Sequence, residues 1–263
     1  AEASAAALIN LQAGTANDGQ GGVDTLSNLN FVVGTAFNDT ITGSSTDNLF
    51  EQFEGGLGND TIDGGAINLV TGNNSNRVNY STAAAEVTVD LGLGTATGGA
   101  GSDTLININH VRGSAFADTL LGSNTTSWTE QFEGRQGNDT INGLGGTDMV
   151  RYDAATVAVN VNLATGVASD GQGGTDTLLN IEGVRGSTFA DVLTGGNLAN
   201  GSGATDGFEF FVGNAGNDTI DGGAGFDRVD YNTSNTGVTV TLSFNGFGTA
   251  SDGLGGTDTL IDI

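Results

Sequence analysis

Gly-Gly-Leu-Gly-Asn-Asp-Thr-Ile-Asp, residues 55–63, fits a nine-residue pattern G-G-x-G-x-D-x-U-x in which U is a large apolar residue. The first six residues read as a turn. Glycines such as Gly56 and Gly58 enter positive φ without a Cβ clash and let carbonyl oxygens converge, and Asp60 adds a carboxylate. The last three read as a short strand whose middle side chain, Ile62, points inward. Gly-Gly-Ala-Gly-Phe-Asp-Arg-Val-Asp (222–230), with Gly223 and Gly225, and Gly-Gly-Ala-Gly-Ser-Asp-Thr-Leu-Ile (98–106) fit the same pattern. Near matches lie at 134–142, 143–151, 213–221, 19–27, 171–179 and 253–261. Asp and Gly are common in any turn. That alone does not explain an apolar residue two places after the aspartate nearly every time.

A longer period contains the shorter one. Gly-Asn-Asp-Thr-Ile recurs at 58–62, 137–141 and 216–220, a spacing of 79 both times. Asp-Thr-Leu recurs at 24–26, 103–105, 176–178 and 258–260, and Phe-x-Asp-x-(Ile/Leu) at 37–41, 116–120 and 189–193. Tyr80, Tyr152 and Tyr231 each follow an Arg and a Val. Landmarks in one fixed order predict one continuous solenoid over 1–263. Its units are approximately 1–79, 80–151 and 152–230, with a partial fourth over 231–263. Both ends read as cut from a longer chain, because neither has the atypical sequence of a capping repeat.

Composition narrows the chemistry. Asp and Glu number 31 against six basic residues, all Arg, for a formal charge of -25. Such a chain repels nucleic acid and anionic membranes, and no apolar run approaches membrane-spanning length. Neither nucleic acid nor membrane insertion is expected. With no Cys there is no disulfide framework and no thiolate metal site. A hard cation is the remaining staple, and Ca²⁺ takes roughly 6–8 oxygens at about 2.3–2.6 Å. The only histidine, His110, aligns with Phe31 and Gly183 and reads as a rim residue, so a Ser-His-Asp triad lacks its base. Every acidic cluster recurs with the repeat, whereas a catalytic site should depart from it. No catalytic or organic-cofactor residue is expected, and the chain reads as a non-enzyme.

The nonapeptides resemble those of the RTX (repeats-in-toxin), hemolysin-type calcium-binding family, here in a variant with a repeat of about 79 residues. The resemblance implies an all-β parallel β-roll or β-helix solenoid stabilised by several calcium ions in Gly/Asp-rich turns, each ion between neighbouring turns on one edge. Carried over position by position, the candidate ligands are Asp60, Asp139, Asp148, Asp218 and Asp227 with Glu130 and Glu209. Asp24, Asp103, Asp176 and Asp258 join them from the Asp-Thr-Leu phrases, and Gly56, Gly58, Gly223 and Gly225 shape the turns. Asp39, Asp118 and Asp191 are further candidate ligands, in a second turn type, Gly-(Thr/Ser)-x-Phe-x-Asp, where Phe replaces the third glycine and is expected to fill a coil end.

Counting by nine from Asp191 gives Asn200, Glu209, Asp218 and Asp227, with Leu193, Ser202, Phe211, Ile220 and Val229 inward. If two turns and two strands make an 18-residue coil, Glu209 and Asp227 share one edge, and Asp218 sits opposite with Asn200 beneath it. Glu130 and Asp148 repeat that pairing with Asp139 opposite, whereas Glu51 meets Leu69 and lacks a second carboxylate. The alternating segments at 86–91 and 237–242 predict longer strands and a wider solenoid.

Three functions fit this reading. One is a structural segment of a secreted bacterial surface layer, extracellular filament or giant adhesin, with copies of the same repeat protein continuing end to end. Another is a binding module whose variable inserts (44–50, 123–129, 195–207) touch surface glycans. The third is the calcium-binding C-terminal module of a larger RTX toxin or secreted polysaccharide-acting enzyme. All three place the chain outside the cell.

Overall fold

The computed structural model describes residues 3–46, 49–66, 75–196 and 207–263. Leu69, Asn200 and Ser202 lie outside them, as do parts of two of the variable inserts. Among the described residues the chain forms 27 short strands and no helix. They build two sheets, one of nine strands and one of eighteen.

Every pairing in the smaller sheet is parallel. The larger sheet mixes parallel pairs with antiparallel ones. In the unit from 87 to 151, the chain enters the larger sheet at Val87–Asp90, reverses through Thr95–Gly98 and reverses again through Gly101–Ile106. It then alternates between His110–Arg112, Thr129–Glu133 and Thr147–Arg151 in the smaller sheet and Thr119–Leu121 and Thr140–Asn142 in the larger. Gly101–Ile106 pairs parallel with Thr61–Asp63 of the unit before, and Val87–Asp90 pairs parallel with Thr119–Leu121 of its own unit. The three-stranded meander thus sits inside an otherwise parallel ladder. The same meander recurs at Asn160–Asn162, Val167–Ser169 and Thr175–Leu179, and at Thr239–Leu242, Phe247–Ser251 and Thr257–Ile261.

This meander corrects two expectations. The alternating segments at 86–91 and 237–242 are first strands of meanders, not widened coils. The nonapeptides at 98–106, 171–179 and 253–261 are loops and last strands of meanders, not turns stacked in nine-residue phase. The 18-residue coil holds only locally. Glu209 and Asp227 are register partners 18 apart, whereas along the other edge the steps are 21, 43, 21, 37, 27 and 40 residues.

Between the sheets runs one apolar column per strand register. Ile41, Ile62, Leu120, Ile141, Leu193 and Ile220 face Phe53, Phe132, Val150, Val184 and Phe211, and all are fully buried. Burying each such side chain contributes about 1.5–3 kcal/mol. The middle strand of each meander contributes only alanine, Ala96, Ala168 or Ala250, and the rings of Tyr80 and Tyr152 close the core beside the meanders. Phe37, Phe116 and Phe189 do not fill a coil end as expected. They remain 42%, 44% and 42% exposed.

The outer face of the smaller sheet carries the arginines. Arg112 pairs with Glu133 at 2.7 Å, Arg151 with Asp153 at 2.7 Å and Arg228 with Asp230 at 2.8 Å. His110 lies beneath this layer, 5% exposed, which corrects its reading as a rim residue. Burial and the charges of Arg151, Arg77 and Arg185 push it down to about 3, so it stays neutral.

Candidate metal centres

Acidic side chains line both edges where the sheets meet. On the first edge they form three columns: Asp39–Asp60–Asp103, Asp118–Asp139–Asp176 and Asp191–Asp218–Asp258. The backbone N–H of each upper residue donates to an Oδ1 below it, at 2.8–3.0 Å. All nine carboxylates are buried. What distinguishes them is how their oxygens are occupied.

At the top of each column a hydroxyl occupies the carboxylate. Ser114 donates its N–H to Asp118 Oδ2 at 2.5 Å and its Oγ–H to Oδ1 at 2.7 Å, and Val87 N–H also donates to Oδ1. Thr35 and Ser187 treat Asp39 and Asp191 alike. The Gly-(Thr/Ser)-x-Phe-x-Asp turn therefore closes on its own hydroxyl, which supplies these three carboxylates with donors. At the bottom, tyrosine hydroxyls do the same work. Tyr80, Tyr152 and Tyr231 donate to Oδ2 of Asp103, Asp176 and Asp258 at 2.9–3.0 Å. Asp24, in a meander formed by Leu8–Asn10, Thr15–Asn17 and Asp24–Thr25, is exposed.

Only the middle residues are left over. Oδ2 of Asp60, Asp139 and Asp218 is buried with no hydrogen-bond partner. Methyls added at Gly55, Gly134 and Gly213 would lie only 2.0–2.2 Å from these oxygens. Gly56, at φ +97°, lets Thr35 O approach as no larger residue could, and Gly58, at φ +130°, does so for Phe37 O. Burial raises Asp60 to about 6, Asp139 to about 8 and Asp218 to about 7, with neighbouring carboxylates adding to the rise.

The second edge is one continuous register: Asn30, Glu51, Asn76, Asn109, Glu130, Asp148, Glu182, Glu209, Asp227. Glu51 stands beside Asn76. The number of carboxylates per unit rises along the chain, from one to two to three. Glu51 Oε1, Asp148 Oδ2, Glu209 Oε2 and Asp227 Oδ2 are buried without a hydrogen-bond partner. Burial and the facing Glu130 and Glu182 hold Asp148 up at about 8. Gly143 and Gly222 lie against Asp148 Oδ2 and Asp227 Oδ2, and Gly223 and Gly225 have φ of +82° and +155°. Glu182 escaped the sequence count because a meander puts it 34 residues after Asp148.

An ionised carboxylate oxygen buried without a partner costs several kcal/mol, so it takes a proton or a cation. The donors are all oxygens, which suits a hard cation such as Ca²⁺. Among the described residues no three acidic or histidine side chains converge on one point. An ion held here would take one or two of these carboxylates and complete its shell with carbonyl oxygens such as those crowding Gly56 and Gly58.

A parallel β-solenoid with buried, cation-ready carboxylates repeated on its edges is a metal-stapled repeat protein. The chain carries four copies of the RTX calcium-binding nonapeptide repeat, at residues 29–51, 47–66, 129–154 and 203–235. It is thus a β-solenoid that carries RTX calcium-binding repeats, and several calcium ions are their cofactor. The matched segments hold Asp60, Asp139, Asp218 and the carboxylates of the second edge from Glu130 to Asp227 other than Glu182, and they omit the meanders. No curated protein matches the chain.

The tyrosine contacts give a direct test of the lower positions. Tyr152→Phe leaves Asp176 Oδ2 buried without a donor and is expected to cost about 1–3 kcal/mol in calcium-saturated urea unfolding. An unchanged midpoint would show that something other than the hydroxyl satisfies Asp176.

Proposed function

We propose that this chain is a calcium-rigidified structural segment of a secreted bacterial surface-layer, filament or adhesin protein. Ions occupy Asp60, Asp139 and Asp218 on one edge and Glu51, Asp148, Glu209 and Asp227 on the other, while the N–H and Oγ–H of Ser123 cap Glu130. Asp39, Asp118, Asp191, Asp103, Asp176 and Asp258 are turn supports satisfied by hydroxyls. One observation carries this reading: each column repeats the same three roles of hydroxyl-capped, open and tyrosine-capped carboxylate. A part repeated in the same order of roles suits a spacer or lattice element, and a reacting centre would stand out from it. Calcium as the only staple in a chain without Cys suits an extracellular, millimolar-calcium setting.

Single-molecule pulling tests the load-bearing role. With calcium, the chain is expected to resist extension and yield in steps that recur along the three units. In chelator it should extend as coil. A calcium-loaded chain that extends without force peaks would overturn the structural role, and labelling of unpermeabilised producing cells checks the location.

A further inference from the structure

The meander loops hold a buried acid that the nonapeptide pattern does not contain. Asp170 and Asp252 precede Gly-Gln-Gly-Gly-Thr-Asp and Gly-Leu-Gly-Gly-Thr-Asp, and both are fully buried. Oδ1 of Asp170 accepts the N–H groups of Gln172, Gly173 and Gly174 at 2.8–2.9 Å, which folds the loop around it. Asp252 accepts from Leu254, Gly255 and Gly256 at 2.8–3.0 Å in the same way. In both residues Oδ2 is left buried with no hydrogen-bond partner.

The loops lie directly on the open turns. Asp139 N–H donates to Asp176 Oδ1, and Thr175 N–H to Asn138 Oδ1. A methyl built at Gly174 would lie 1.6 Å from Gly137 O and 2.8 Å from Asp170 Oδ2, so both oxygens border one small space. At Gly256 the same point is 1.6 Å from Gly216 O and 2.8 Å from Asp252 Oδ2. The meander at 87–106 differs. Its loop is one residue shorter between alanine and aspartate, and Gly98 stands where Asp170 and Asp252 stand.

We infer that Asp170 and Asp252 are second carboxylate ligands to the calcium ions at Asp139 and Asp218, so the meander loop completes the site on the turn before it. This inference rests on the calcium reading of the open turns and adds what the nonapeptide lacks. A second negative ligand raises affinity for a hard divalent ion, since calcium sites tune their affinity by ligand charge. The three first-edge sites are therefore unequal: two carboxylates at Asp139 and Asp218, one at Asp60.

Asp170→Asn separates ligand from loop support. The amide keeps an oxygen to accept the three N–H groups and replaces Oδ2 by a nitrogen that cannot bind calcium. Competition with a chromophoric chelator on the whole chain should show one site weakened at least tenfold in Asp170→Asn and two in Asp170→Asn/Asp252→Asn. Replacing residues 97–102 by the sequence of residues 169–175 inserts the missing aspartate, and should tighten the Asp60 site about tenfold. That graft decides the matter if the Asn variants do not fold. Titrations of variants and graft identical to the parent's would overturn the assignment and leave calcium binding intact. A parent that takes up no calcium would overturn both.

Discussion

Excess chelator at pH 8 is expected to convert the chain's β-sheet circular dichroism to that of coil, and millimolar calcium to restore it. At this pH the open carboxylates of Asp60, Asp139, Asp148 and Asp218 meet solvent at or above the values of about 6 to 8 that burial gives them. Without ions they must ionise in the core of the edge or keep protons that the medium withdraws. The formal charge of -25 adds repulsion that the four arginine–acid ion pairs among the described residues cannot offset. An ion held at a thousandfold excess over its Kd adds about 4 kcal/mol. Three such ions match the roughly 5–15 kcal/mol that separates a folded domain from its unfolded state. Metal binding and folding should therefore form one transition. A β-spectrum that persists in chelator, after ions are shown by metal analysis to be gone, would mean that the apolar columns alone hold the fold.

How much of this was legible in the sequence follows from what each residue needs. Asp60, Asp139 and Asp218 announce themselves because their glycines must be glycine, and because Ile62, Ile141 and Ile220 two places on must be apolar. Glu130 with Asp148 and Glu209 with Asp227 follow from counting where no meander intervenes. The meanders were hidden. A Gly-rich hairpin loop and a Gly-rich calcium turn use the same positive-φ residues, and a three-residue strand reads the same in either direction. Asp103, Asp176 and Asp258 thus read as ion ligands, and nothing in their phrases pointed to the tyrosine hydroxyls, 23 to 27 residues away, that donate to them. The Ser or Thr of the Phe-containing turn was visible, but its hydroxyl bond to an aspartate four residues on depends on the turn's closure. His110 offered no signal at all, because the arginine layer that buries it comes from neighbouring coils. For Asp170 and Asp252 a signal existed. Asp-Gly-x-Gly-Gly-x-Asp recurs at 18–24, 170–176 and 252–258, just outside the nine-residue frame.

The same carboxylates give the ion-free chain an unusual pH dependence. Asp139 and Asp148 hold their protons to about 8 in the fold, and Asp218 to about 7, against an ordinary value of 3.8 once exposed. The folded state binds more protons than the unfolded chain through that whole interval, so stability falls as pH rises. The contribution is fully present below about pH 4, declines as the unfolded carboxylates ionise, and is gone above about pH 8. Most proteins lose stability as acid removes their ion pairs, and this one should gain it as protons take the place of calcium. In chelator, circular dichroism at pH 5, 6.5 and 8 is expected to show β-structure diminishing in that order. Calcium should reverse the loss most strongly at pH 8 and release protons on binding near pH 7, measurable in a weakly buffered titration. A chelated chain that gains β-structure with rising pH would show that the open carboxylates are not the groups controlling the fold.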